Sequence, residues 1–475
     1  MSIKRATEKN VKWSFIESIS LKLIGFILGI ILARLLSPAD FGVLAVVNVF
    51  YLLTTLFIDG GLREALVQKK NATQKDYSTM FWLNIGISFL LYFFLFLIAP
   101  YIESFYKFEN LSFYIRLQSL VLIIESIGLI QIVKAVKDLN LKKVTTARIP
   151  ATIISFFVGI IMAYSGFGVL SLIVQQLVNE VVYLTLLVYN VRYKPEMVFS
   201  KASLKSLYGF GLKMFALSYI NRIYAQSLNL IYANFYNVRE LGLNVKSNGL
   251  QGVPIDIINS AFAKGLYPTM VRIQIHNKLL KKMFLLNVKK ITFLMVFINF
   301  VFFFNALEII RFLLGEKWIN MVDYMQIASI GSLFLPINTQ VISVFKVKKQ
   351  PNLLLKIEMV WKIFALVMVL VLSVLTNFIT VLWSIALLNG FMGLLYLYIG
   401  SKLLRFSFRE ESLKLMGLIS YCFISGFILK KAIVYFLFEF HGLIKICCFS
   451  TLFLVMIIPF GYFVTDYKIK NLIKS

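Results

Sequence analysis

Apolar runs of about 20 residues, separated by short polar or basic connections, recur along the whole chain. A run of about 20 residues is long enough to carry a helix across roughly 30 Å of hydrocarbon. The pattern predicts about fourteen such helices, at 14–35, 40–60, 79–101, 112–134, 149–164, 167–190, 208–235, 241–263, 283–306, 322–345, 356–376, 378–400, 413–435 and 442–463. The expected class is therefore an all-α polytopic membrane protein. Some connections are very short, such as Ser37-Pro38-Ala39 and Ser165-Gly166-Phe167. No connection is long enough to fold as a separate catalytic domain.

The polar positions add an orientation. Lys and Arg crowd into every second connection: Arg63 to Lys75, Lys134 to Arg148, Arg192 to Lys205, Lys264 to Lys290, Lys346 to Lys356 and Lys402 to Lys414. With the two chain ends these hold 35 of the 49 basic residues. The alternate connections, with the span ends adjoining them, hold 7, and the last 7 sit inside the spans. Such asymmetry marks the cytoplasmic side, so both termini are expected there. The net charge of +27 is then mostly a topological mark and gives no ground for nucleic-acid binding. Hydrophobic residues make up 59% of the chain and charged ones 15%, which excludes a soluble globular protein. The basic residues before the first run do not make it a cleavable signal, because the run is full length and lacks a small-residue cleavage site. Cys422, Cys447 and Cys448 suggest neither a disulfide framework nor a metal site.

Residues 15–66 align without a gap on residues 215–266, at a constant offset of 200. Phe15/Phe215, Ser18/Ser218, Gly42/Gly242 and Asn48/Asn248 are among nine identities in 52 positions. Lys22/Arg222, Asp40/Glu240 and Asp59/Asn259 are chemically similar. Six predicted helices separate the two segments, so both share one orientation, the parallel-repeat plan of several secondary transporters. The chain is accordingly divided into lobes at 1–200 and 201–405, with a terminal helix pair and tail at 406–475.

Charges at bilayer depth are costly and generally face a watery or protein-lined interior. In the first predicted span Ser18, Lys22, Gly25 and Gly29 share one helical face, and in the seventh Ser218, Arg222, Gln226, Asn229 and Ala233 do the same. Arg116 heads a thinner stripe with Ser119 and Ser126. Lys22, Arg222 and Arg116 around one cavity would receive an anion such as a diphosphate. The competing reading pairs each cation with a nearby acid, Glu17 or Glu125 for example, or lets it snorkel. Asn48, Gln226, Asn229 and Asn248 are candidates for hydrogen bonds to sugar hydroxyls. Asp59, Glu180 and Asp256 are candidates for ion coupling, against structural pairing as the plainer role. There is no P-loop, His276 and His441 have no partner spacing, and no catalytic residue, metal ligand or cofactor is expected.

Several runs resemble those of Wzx-type oligosaccharide flippases, in the polysaccharide-transporter branch of the multidrug/oligosaccharidyl-lipid/polysaccharide exporter superfamily. They are Leu36-Ser37-Pro38-Ala39-Asp40-Phe41-Gly42, Asp59-Gly60-Gly61-Leu62 followed by Ala65 to Lys69, and Phe81-Trp82-Leu83-Asn84. Phe210-Gly211, Tyr267-Pro268 and Gly315-Glu316-Lys317-Trp318 follow in the same order. The resemblance implies two six-helix lobes plus a terminal pair, the plan of multidrug exporters. It also implies a cationic cavity for an undecaprenyl-diphosphate-linked oligosaccharide, a bacterial cytoplasmic membrane and neighbouring polymerase or export machinery. Leu228-Asn229 departs from the Asp-Asn common in relatives. Open alternatives are a lipid II flippase, a multidrug antiporter, whose cavity should be acidic, and a membrane glycan polymerase, which should carry a large external loop.

Overall fold

The computed structural model describes the backbone of residues 3–59, 62–69, 71–436 and 442–465. Side chains are described there except at 3–12, 14–15, 56, 59, 64, 68, 206–218, 221, 261–268, 351 and 460–465. Among the described residues every regular element is a helix. The chain forms two compact units, Met1–Gly242 and Leu243–Ser475. The first holds α1 (Ile3–Leu35), α2 (Pro38–Asp59), α3 (Leu62–Gln68), α4 (Gln74–Tyr106), α5 (Leu111–Lys137), α6 (Leu141–Tyr164), α7 (Val169–Val191) and α8 (Lys201–Phe235). The division falls within α9 (Val238–Arg272). The second unit continues with α10 (Asn277–Phe304), α11 (Ala306–Leu313), α12 (Val322–Gly331), α13 (Leu335–Val347), α14 (Pro351–Leu375), α15 (Phe378–Leu404), α16 (Phe408–Phe436) and α17 (Gly442–Thr465).

Twelve helical segments among the described residues are long and apolar enough to cross a membrane. The expected spans 208–235 and 241–263 lie in α8 and α9, which are not among the twelve. The outer surface explains the composition. Leu90, Leu387 and Val455 are 67%, 69% and 65% exposed in mid-helix, which is tolerable where the surrounding medium is lipid. The protein is a multi-pass membrane protein.

Local chemistry sets the helix starts. Ser37 donates from its backbone nitrogen and its hydroxyl to Asp40 Oδ2 at 2.8 and 2.7 Å, and Pro38 opens α2. This satisfies donors that a helix start would otherwise leave bare. Thr73 and Asp76 form a capping box on α4, and Lys69 bonds Asp76 Oδ1 at 2.8 Å. Lys137 donates to the carbonyls of Leu66 and Lys69 at the end of α3, where the helix dipole favours a cation.

In the first unit α5, α6 and α7 form the middle, with α1 on α6 and α2 against α5 and α8. Among the described glycines, Gly42 and Gly242 make the tightest backbone approach. A Cβ on Gly42 would lie 1.9 Å from Val238 O, and one on Gly242 1.7 Å from Pro38 O. The two contacts mirror each other at the offset of 200 residues.

In the second unit α10 packs against α12, α13, α16 and α17. Phe300, Phe304, Phe449 and Phe453 interlock in its core. The expected continuous span 322–345 is broken between α12 and α13 at Ser332-Leu333-Phe334. Pro336, the second residue of α13, cannot donate to the carbonyl of Ser332, four residues back. At the break Ser332 Oγ lies 3.2 Å from Ser329 O and 2.8 Å from Asn299 Oδ1, and Gln251 Nε2 donates to the same Asn299 oxygen at 2.7 Å.

Candidate functional site: a charged cavity inside the first unit

Five charged side chains from α1, α3, α5, α6 and α7 converge on one cavity of about 380 Å³. They are Glu17, Arg63, Glu125, Arg148 and Glu180, with Thr55 and Tyr183 beside them and Ile58, Ile124 and Leu184 among the apolar walls. Such a cluster within a membrane bundle persists only if its members answer one another. Arg148 Nη1 donates to Glu180 Oε1 and Oε2 at 2.8 and 3.0 Å, with side chains 31% and 13% exposed. The Arg148 guanidinium also lies 4.3 Å from the centroid of the Tyr183 ring.

The other two acids are held by hydroxyls. Tyr51 donates to Glu125 Oε1 at 2.6 Å, joining α2 to α5. Thr145 donates to Glu17 Oε2 at 2.9 Å, joining α6 to α1. Gln118 Nε2 also donates to Gln176 Oε1 at 2.7 Å, joining α5 to α7. Each acid therefore has an assigned partner from a neighbouring helix, which fixes its direction before any ligand arrives.

Only some of the residues singled out in the sequence come to this cavity. Glu180 lines it, bound to Arg148. Arg222 on α8 is near enough to Glu125 for their charges to interact. Lys22 is half-buried on α1 and is not among the lining residues. Arg116 is elsewhere: its Nε donates to Phe96 O at 3.1 Å and its guanidinium stacks 4.1 Å from the Phe96 ring.

The remaining candidates with described side chains are also outside the lining. Asn229 Nδ2 donates to Gln226 Oε1 at 3.4 Å, and Asn248 Nδ2 to Asn244 Oδ1 at 3.0 Å. Asn48 is half-buried, and its Oδ1 is buried without a hydrogen-bond partner. Asp256 is exposed. Asp59 closes α2, but its side chain lies outside the described residues. Among the described residues no group of three or more His, Cys, Asp or Glu is arranged to hold a metal ion.

Arg63 and Arg148 were missed because the apolar runs place both in basic connections. Helix α6 instead begins at Leu141, so Arg148 sits two turns inside it. The signal was available: Arg148, Thr152 and Ser155 continue a polar stripe at helical spacing into the apolar run.

The chain matches the model of a family described as "Polysaccharide biosynthesis protein" over residues 31–323. It is 28% identical over 394 residues to an "Uncharacterized membrane protein in cps region" of Klebsiella pneumoniae, covering 79% of this chain and 78% of that one. It is 24% identical over 381 residues to the lipopolysaccharide biosynthesis protein WzxC of Escherichia coli (strain K12), covering 78% and 76%. The teichuronic acid biosynthesis protein TuaB of Bacillus subtilis (strain 168) is 22% identical over 337 residues, covering 69% and 68%.

Two solved structures share the fold at 13% identity. The lipid II flippase MurJ, in an inward closed conformation, superposes with a TM-score of 0.68 over 94% of this chain and 98% of its own. An inward-facing MATE multidrug transporter of the MOP superfamily gives 0.54 over 82% and 98%. With the family model covering more than half of its residues, the chain belongs to the polysaccharide biosynthesis protein family.

Proposed function

We propose that this protein is a flippase that moves an undecaprenyl-diphosphate-linked oligosaccharide from the cytoplasmic to the outer leaflet of a bacterial cytoplasmic membrane. The observation that carries the reading is a cavity of about 380 Å³ lined by five charged side chains within a helical membrane unit. A purely structural bundle has no use for so costly a space. Family membership supplies the polysaccharide, and the fold shared with a lipid flippase and a drug exporter favours transport over catalysis.

The physical task fits. A prenyl tail can stay in the bilayer, whereas a diphosphate and sugars cannot cross about 30 Å of hydrocarbon unaided. Lys22 and Arg222, the offset-200 pair, take the diphosphate; Arg116 joins them only by leaving Phe96. Asn48, Gln226, Asn229 and Asn248 contact sugar, and Asp59, Glu180 and Asp256 are the coupling candidates. The lobes rock about the bound headgroup, both termini face the cytoplasm, and a polymerase consumes the product outside.

The test is transbilayer movement of an undecaprenyl-diphosphate oligosaccharide in vesicles containing the purified chain. Replacing Lys22 and Arg222 together by Gln is expected to slow it at least about tenfold, the effect of about 1.4 kcal/mol on the barrier. Wild-type movement in a well-folded double variant would overturn the assignment of these cations. No movement by the wild-type chain of any prenyl-diphosphate oligosaccharide would overturn the function.

A further inference from the structure

The cavity of the first unit has a charge balance that separates the two chemically distinct parts of such a cargo. Its lining sets Arg63 and Arg148 against Glu17, Glu125 and Glu180, and Arg222 acts on Glu125 from α8. Within the lining two cations face three carboxylates. A diphosphate entering there would meet more like charges than opposite ones. A bare metal ion fares no better, because the carboxylates do not gather into a metal-binding group among the described residues.

A sugar suits the same surroundings. Each sugar hydroxyl both donates and accepts, carboxylates only accept, guanidinium groups only donate, and the Thr55 and Tyr183 hydroxyls do both. Ile58, Ile124 and Leu184 offer apolar wall to the C–H faces of a ring. The volume of about 380 Å³ falls within the range of small-ligand pockets, roughly 300–1,000 Å³. The acids are held in place beforehand by Tyr51, Thr145 and Arg148, so binding does not have to order them.

Building on the flippase reading, we propose that this cavity is a glycan subsite: Glu17, Glu125, Arg148 and Glu180 hold sugar hydroxyls, and the diphosphate binds outside it. This adds residues of α1, α5, α6 and α7 to the amide side chains of α2, α8 and α9 as glycan contacts. The cavity selects among sugars by the spacing of its donors and acceptors.

The experiment uses the full chain in lipid nanodiscs, with Cys422→Ala, Cys447→Ser and Cys448→Ser and a reporter thiol from Leu184→Cys on the cavity wall. Maleimide labelling of that thiol is timed with cellobiose, with N,N′-diacetylchitobiose and with inorganic pyrophosphate. At least one disaccharide is expected to slow labelling severalfold and pyrophosphate to leave it unchanged. Glu125→Gln, which keeps the side chain's shape, should cancel the protection without changing labelling in buffer alone. Protection by pyrophosphate but neither sugar, or by none of the three, overturns the subsite. Vesicle transport by the wild-type chain separates the two readings. Movement without sugar protection removes only the subsite, whereas protection without movement removes the flippase and leaves a sugar site.

Discussion

Among the deep charges it is the partner, and not the charge itself, that decides what each residue can do. Arg148 is answered by the Glu180 carboxylate and the Tyr183 ring, while Arg116 rests on the carbonyl and ring of Phe96. Removing one member of a fully buried ion pair typically costs about 3–5 kcal/mol, because the other is left uncompensated, and this part-buried pair should fall at or below the lower end. Arg148→Gln and Glu180→Gln are each expected to lower the melting temperature in detergent markedly. The double variant should recover a large part of that loss, giving a coupling energy in a double-mutant cycle. Simple additivity would show that the two groups are not stabilised by each other. Tyr51→Phe removes only the hydroxyl donor to Glu125. Its expected cost is smaller, about 1.5–3 kcal/mol for a hydrogen bond to a charged group. A melting shift equal to that of Arg148→Gln would contradict this ranking.

At the scale of the element, the membrane's demands made most of the fold legible. Every backbone group in hydrocarbon must be satisfied internally, so a long apolar run can only be a helix, and the runs mark the helices well. The runs fail where a helix continues past them. The first two turns of α6, Leu141 to Arg148, are polar, so hydrophobicity alone places Arg148 outside the membrane helix that holds it. They fail again at Ser332–Phe334, where the helix is interrupted just before Pro336 inside a run read as one continuous span. The pairing of Glu17 with Thr145 and of Glu125 with Tyr51 depends on which helices touch, which no single span records. The coincidence of Gly42 and Gly242 was readable, but its reason was not: each lies against a backbone carbonyl at the other's helix start. Gly42→Ala or Gly242→Ala should therefore sharply reduce the yield of monodisperse protein, since a backbone oxygen cannot move aside as a side-chain tip can. Gly25, on the helical stripe of Lys22, has nothing within 4 Å of a Cβ. Gly25→Ala is expected to give normal yield, and equal loss in all three variants would refute the packing argument.

For the whole molecule the open quantity is orientation, because a flippase's direction has meaning only relative to its sides. The 35 basic residues of the alternate connections and chain ends act through many separate local preferences. They predict that Lys142, exposed at the start of α6, is cytoplasmic and that Ser165, exposed just after that helix, is external. In a chain with the native cysteines replaced, a membrane-impermeant maleimide should label Ser165→Cys in intact cells. Lys142→Cys should react only after permeabilisation. The reverse pattern would invert the proposed direction of transport while leaving the cavity chemistry untouched. Because the preference is spread over eight clusters, replacing Lys142 and Lys143 by Gln should not change the labelling pattern. If that pair alone inverted it, orientation would be set by one connection, and the distributed excess of +27 would need another explanation.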